Sequence, residues 1–254
     1  LSSPFIAITV AVFASVRDFK LSAEEERGLV QWVHLASAKG RYTLFASETA
    51  LDEDIGLLFK RKGGPTQLIE VVKQKAGRLY VLPEDLVRKG VRNTLFSTIY
   101  LAFRKAGAKD WSSGLGLSLS HQGRAHKIQD HHIFPRSILK EHDFETSEIH
   151  EIANLAFLSG KANQKISNKP PEKYFPWIIE NFGKEALDKQ LIPDDPSLHK
   201  LEDYRRFLQH RREALANAIN EFLGVTAPPP GEKVPEVDLK SLIAKGESSQ
   251  LEFK

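Results

Sequence analysis

The sequence predicts a mainly α-helical protein with one small strand pair near its middle. Apolar residues recur at helical spacing, punctuated by caps and breakers, through most of residues 5–106. A second helical pattern runs through residues 198–223. Between them, residues 126–171 switch to short apolar runs bounded by polar residues and proline. The N-terminal half shows neither a convincing hairpin nor an internal repeat.

Residues 5–20 are apolar enough for a core helix. Ser22 ahead of Glu24, Glu25 and Glu26 reads as an N-cap with acids in the first turn, where they favour the helix dipole. That helix runs through Trp32, Val33 and Leu35 and stops near Gly40, with Arg41 and Tyr42 in the following turn. Ser47 starts a helix carrying Leu51, Ile55, Leu58 and Phe59, and residues 60–65 break it. Shorter helices are expected at 66–77 and 83–89 and a longer one at 91–106, followed by a Gly/Ser-rich irregular connector at 108–123.

After the central stretch, residues 171–181 restart as a helix bearing Tyr174, Phe175, Trp177 and Ile178. The helix within 198–223 presents Leu201, Tyr204, Phe207, Leu208, Leu215 and Ile219. Asp203 with Arg206, and Glu202 with Arg205 and Arg206, are spaced to support it. Pro228-Pro229-Pro230-Gly231 marks an exposed, semi-rigid linker.

Composition narrows the class. The chain has 254 residues, 41% hydrophobic and 27% charged, enough to bury a core without staples. It lacks cysteine, which excludes a disulfide framework and a thiolate zinc site and fits a reducing cytoplasm. A net charge of +3 is too small to decide for or against nucleic acid. The ten-residue apolar run from Phe5 is too short to span a bilayer, so no membrane partner is expected. The start at Leu1 and the lack of methionine suggest a fragment of a longer chain.

Histidine is concentrated: six of nine fall within residues 121–150. His131 and His132 are adjacent on a segment read as extended, so their side chains point to opposite sides. One can hold a metal while the other reaches a water. Pro135 ends the strand and opens a helix. Asn154 begins the apolar run Leu155-Ala156-Phe157-Leu158, read as a second strand, and can hydrogen-bond across the loop to shape the His131-His132 segment. Asn163, nine residues on, lies on a helix begun near Gly160 and can return as an amide-oxygen ligand. Lys161, Lys165 and Lys169 recur every four residues and are expected to stack on one helix face as a phosphate-tracking edge. Base, cation and rigid scaffold are what phosphodiester hydrolysis requires.

These residues carry a resemblance. Asp130-His131-His132-Ile133-Phe134-Pro135, Asn154-Leu155 and Asn163 resemble the ββα-metal fold of the His-Asn-His (HNH) nucleases. The resemblance implies an embedded ββα-metal unit with His131 and Asn163 as metal ligands. It implies His132 as general base, Asn154 as the loop-fixing catalytic asparagine, and Asp130 as a partner orienting one histidine. Many members have Asp or Glu at the His131 position and His at the Asn163 position. The hard donor set suits Mg²⁺ or Mn²⁺ better than a closed zinc site. The flanks, including Gly40-Arg41-Tyr42 with Leu51-Asp52-Glu53-Asp54, resemble GmrSD-type modification-dependent restriction proteins. That likeness implies a defence endonuclease acting on DNA, modified or not, with a ParB-like nucleotide-hydrolysing domain upstream. Gly246-Glu247-Ser248 and Leu251-Glu252-Phe253-Lys254 are similar to the opening of a Schlafen-type AlbA domain. The expected organisation is a helical domain at 1–120, the nuclease with its C-terminal helices at 121–224, and linker plus AlbA-like start at 225–254.

Plainer readings stand beside these. A His-His pair alone is more often surface or core, and His121, His142 and His150 read as loop or surface residues. His126 reads as a strand residue with a packing role. Lys60-Arg61-Lys62 and Arg211-Arg212 read as solvated, Arg41-Tyr42 as structural, Tyr174 and Trp177 as core. A binding module that keeps the fold without activity, and an RNA nuclease, use the same residues.

Overall fold

The computed structural model describes residues 2–43, 46–60, 63–111, 113–117 and 128–229. His121, His126, Arg61, Lys62 and the AlbA-like segment at 246–254 lie outside the described residues. The chain opens with helices α1 (Pro4–Val16), α2 (Ala23–Ala38), α3 (Ser47–Phe59) and α4 (Pro65–Ala76). Ser22 caps α2 reciprocally: its hydroxyl accepts the Glu25 amide at 3.2 Å, and the Glu25 carboxylate accepts the Ser22 amide at 3.0 Å. Gly40, at φ 63°, turns the chain out of the helix end. The apolar α1 is not core throughout: Ile6, Thr9 and Phe13 are buried, but Ile8 is 41% exposed.

These helices share a core built around Phe13, Trp32, Leu58 and Leu68. Arg41 and Asp54 are buried within it, and the guanidinium donates to the two Asp54 oxygens at 3.0 and 3.2 Å. The Tyr42 hydroxyl donates to Asp54 and meets Thr9 Oγ1 at 2.9 Å, which ties the turn after α2 to α1 and α3. Such a pair is tolerable in a core because each charge has a hydrogen-bonded partner. The expected structural role of Arg41-Tyr42 is what these contacts describe.

The helix expected at 83–89 is instead a short 3-10 turn, Pro83–Leu86. Helix α5 (Thr94–Lys105) follows, with the Asn93 side chain accepting the Leu95 amide at 3.0 Å. The described part of the connector, 108–111 and 113–117, holds fixed contacts. Trp111 is fully buried and donates to the Ala186 carbonyl at 2.8 Å, while Lys109 and Gly116 form an antiparallel bridge.

The second half runs β1 (Ile128–His132), α6 (Arg136–Glu141), α7 (Thr146–Ile149), β2 (Leu155–Ser159), α8 (Gly160–Ile166), α9 (Pro171–Phe182), α10 (Glu185–Asp188) and α11 (Tyr204–Leu223). Strands β1 and β2 pair antiparallel, with His131 opposite Ala156 and His132 opposite Leu155. β2 is buried along its whole length, which accounts for its unbroken apolar sequence. Gln190 acts as a side-chain substitute for a further strand: Oε1 accepts the Phe157 amide at 2.8 Å and Nε2 donates to the Phe157 carbonyl at 3.0 Å. One buried cluster extends from Leu35 and Phe103 through Phe134 and Phe157 to Phe207 and Leu223. It packs the strand pair against α2, α5 and α11. Among the described residues, no helix is long and apolar enough to cross a membrane.

The reading of Arg211-Arg212 as solvated is corrected. Arg211 is 0% exposed and donates to the carbonyls of Ala153 at 2.7 Å, Leu155 at 2.8 Å, Gln190 at 2.9 Å and Leu191 at 3.3 Å. Burial pushes its pKa down to about 9, which still leaves it cationic at neutral pH. Arg212 pairs with the buried Glu151 at 2.6 and 2.9 Å. Asp203 meets Arg206 as expected, at 2.6 Å, but Arg205 turns to Glu148 at 2.8 Å.

Candidate active site

His131 and His132 end β1 and face opposite sides of it. The His131 ring is buried, and its Nδ1 lies 2.7 Å from Oδ1 of Asn163 on α8. An amide oxygen only accepts, so Nδ1 carries the proton in this arrangement. Nε2 of the same ring is buried without a hydrogen-bond partner among the described residues. Burial lowers the pKa of His131, opposed by its bond to Asn163. Tyr174 of α9 packs edge-on against the ring at 6.2 Å between centroids, and its hydroxyl donates to the Ile133 carbonyl at 3.0 Å. The core reading of Tyr174 therefore stands, with contact to the site added.

On the other side, His132 Nε2 lies 3.0 Å from Nδ1 of His150, with the rings T-shaped at 4.9 Å. His150, read from the sequence as loop or surface, is thus a member of the constellation. Burial, then the charge of His150, pushes His132 down to about 4, with Asp130 opposing. Among the described residues, no hydrogen bond joins the exposed Asp130 to either ring. It acts on His132 through charge.

Asn154, expected to open the second strand, is instead the last residue of a 3-10 turn, Ile152–Asn154, and β2 begins one residue later. It is 0% exposed. Its Oδ1 accepts the Phe134 amide at 2.9 Å, and its Nδ2 donates to the carbonyls of Phe134 at 3.2 Å and Ile149 at 3.0 Å. The Ile133 amide donates to the Asn154 carbonyl at 2.8 Å. The turn after the His pair and the turn before β2 are thereby stitched together.

Helix α8 begins on Ser159, whose hydroxyl accepts the Ala162 amide at 3.2 Å. It ends at Ile166, where Ser167 takes φ 54°. The three-lysine ladder is therefore corrected: Lys161 and Lys165 share α8, whereas Lys169 lies beyond its end. Lys165 Nζ sits 4.1 Å from the centroid of the Trp177 ring, a cation–π contact on partly exposed surface.

Among the described residues, no group of three or more His, Cys, Asp or Glu side chains is placed to hold a metal ion. The two donor atoms brought together are His131 Nδ1 and Asn163 Oδ1, and a cation held there would take the place of the proton on Nδ1. One nitrogen and one amide oxygen would suit a hydrated hard cation better than a closed four-ligand structural zinc.

A helical fold with a histidine–asparagine cluster at its strand pair is accompanied by a likeness to a restriction-endonuclease type of nuclease. Residues 95–218 match the family model for GmrSD restriction endonucleases, C-terminal domain, so this region is similar to that domain. The matched region contains His131, His132, His150, Asn154 and Asn163. The chain is also similar to "Uncharacterized protein MJ0686" of Methanocaldococcus jannaschii, at 28% identity over 123 residues, covering 39% of this chain and 21% of that protein. The chain thus spans about a fifth of the length of that relative. No solved structure matches.

Proposed function

We propose that the chain carries a metal-dependent DNA endonuclease of the HNH, ββα-metal type, formed by β1, β2 and α8 within residues 121–224. The observation that carries this reading is the 2.7 Å approach of His131 Nδ1 to Asn163 Oδ1, from residues far apart in the chain. Those two atoms would hold the cation. When bound, Mg²⁺ or Mn²⁺ supplies charge neutralisation at the scissile phosphate.

The protein's own residues do the rest. His132 takes a proton from the water that attacks phosphorus in line; its low pKa keeps it neutral, and so able to accept, at neutral pH. Asn154 holds the loop after His132 through three side-chain hydrogen bonds. Asp130 biases His132 by charge. Lys161 and Lys165 on α8, with Lys169 beyond it, bind the flanking phosphates. In the full protein, residues 1–120 would be the helical support. Residues 225–254 would link to an AlbA-like module, and a ParB-like nucleotide-hydrolysing domain would precede the whole, in a cytoplasmic defence protein acting on DNA with or without modified bases.

The test is nicking of supercoiled plasmid with Mg²⁺, Mn²⁺ or EDTA, beside His132→Ala and with single strands and RNA as competing substrates. The expected result is metal-dependent DNA nicking, reduced about 10²- to 10⁴-fold in the variant. Preferential RNA cleavage would replace DNA as substrate. No cleavage under any condition, in this chain and in the full-length parent, would leave a binding module.

A further inference from the structure

We propose that His150 is a positioning residue for His132: it accepts a hydrogen bond from His132 Nε2 and leaves Nδ1 of His132 as the proton-accepting atom. This rests on the reading of His132 as the base. The two nitrogens stand 3.0 Å apart, so one carries a proton and the other accepts it. If His132 donates, both rings are Nε2–H tautomers, the form neutral histidine prefers in water, and Nδ1 of His132 keeps its lone pair. If His150 donates, both rings adopt the less favoured tautomer. His132 then has a proton on Nδ1 and its other lone pair engaged, with nothing left to accept a proton from water. Only the first arrangement gives a working base.

His150 is held in place from several sides. It ends α7, and its amide donates to the Thr146 carbonyl at 3.1 Å. The preceding carbonyl, of Ile149, accepts from Asn154 at 3.0 Å, and that of Glu148 accepts from the Tyr204 hydroxyl at 2.8 Å. The following residue, Glu151, is buried against Arg212. At Gly90 an added Cβ would lie 3.2 Å from the His150 carbonyl oxygen, so the neighbouring chain packs closely there. Asn154 therefore fixes both the loop after His132 and the turn that carries His150.

Every proton in the step has a destination. An O–H bond of water breaks, its proton passes to His132 Nδ1, and the oxygen bonds to phosphorus. The bond from phosphorus to the departing 3′ oxygen breaks, and that oxygen takes a proton from solvent. The imidazolium of His132 keeps its Nε2–H directed at His150 Nδ1, which stabilises the charge and the ring orientation.

The experiment compares the chain with His150→Ala and with His150→Asn, whose amide oxygen can take the place of Nδ1. Plasmid cleavage with Mn²⁺ gives kcat and KM, and nitrogen-15 NMR of the substrate-free chains gives the His132 tautomer. The expectation is an Nε2–H tautomer in the unaltered chain. In His150→Ala, kcat should fall by about 10- to 100-fold with KM little changed, and the tautomer should become mixed. Both should recover largely in His150→Asn. An Nδ1–H tautomer at the start, or an alanine variant with unaltered rate and tautomer, would overturn the proposal. So would an asparagine variant no better than alanine. Cleavage absent from every chain and from the full-length parent would sink the nuclease reading instead, and the ring spectra would still decide the hydrogen bond.

Discussion

Asn154 and Phe134 are joined twice: the Phe134 amide donates to Asn154 Oδ1 at 2.9 Å, and Asn154 Nδ2 donates back to the Phe134 carbonyl at 3.2 Å. The asparagine is fully buried, so its loss strands backbone groups away from water. Asn154→Ala should lower stability by about 2–5 kcal/mol, read as a shift of the urea midpoint at unchanged slope. A near-neutral substitution would show that the loop is held by something else.

Arg211 is a second keystone, and its chemistry is backbone recognition. Its guanidinium collects carbonyls from the turn before β2, from β2 and from the segment after α10. Arg211→Ala should cost about 3–5 kcal/mol in chemical unfolding. Arg211→Lys should recover little of that, because an ammonium lacks the planar fork that reaches several acceptors at once.

Lys39 gives a pH signature. Burial pushes its ammonium down to about 8 from an ordinary 10.5, against the pull of Asp85, while Nζ donates to the Tyr80 carbonyl at 2.7 Å. Between those two values Lys39 holds more protons in the unfolded chain than in the folded one, so its contribution to stability rises with pH across that window. Below about 8 the cost of burying the charge is fully present. Buried Tyr42, Tyr174 and Tyr204, their pKa values raised by burial, pull the other way toward the top of that range. The Lys39 contribution is therefore read as a difference: the urea midpoint should climb more steeply with pH, or fall less, in the chain than in Lys39→Gln. Equal slopes in the two would show that Lys39 is not the source.

Much of this architecture can be read from residue order, and the remainder has identifiable physical causes. The cap at Ser22, the restart at Pro171 and the placement of Asn163 on a helix from Gly160 follow from local chemistry that needs no tertiary partner. Arg211 departs from expectation because a charged pair on a long helix usually faces water. Yet position 211 falls on the stripe of Phe207, Leu208, Leu215 and Ile219, a signal that periodicity already contains. The lysine ladder breaks at a single residue, Ser167, whose positive φ ends α8 before Lys169. His150 has only a diffuse sequence signal, its place in the histidine-rich stretch 121–150: its partner His132 lies across two turns, and tertiary contacts, the Asn154 hydrogen bonds among them, bring the two together.

The two lysines left on α8 make a prediction for binding. Replacing Lys161 and Lys165 with alanine should weaken duplex DNA affinity and flatten its salt dependence, by roughly 0.9 in slope for each phosphate no longer neutralised. Lys169→Ala should have a smaller effect. Filter binding or fluorescence anisotropy across a salt series measures both, and equal effects from all three lysines would contradict the broken ladder.

The most direct measurement is Mn²⁺ binding, followed by the loss of the free-ion electron paramagnetic resonance signal, in the chain and in His131→Ala and Asn163→Ala. One bound ion per chain is predicted, weakened about tenfold or more in each variant while circular dichroism stays unchanged. Mn²⁺ binding of equal strength in all three chains, or none in any of them, would contradict a cation held by His131 and Asn163.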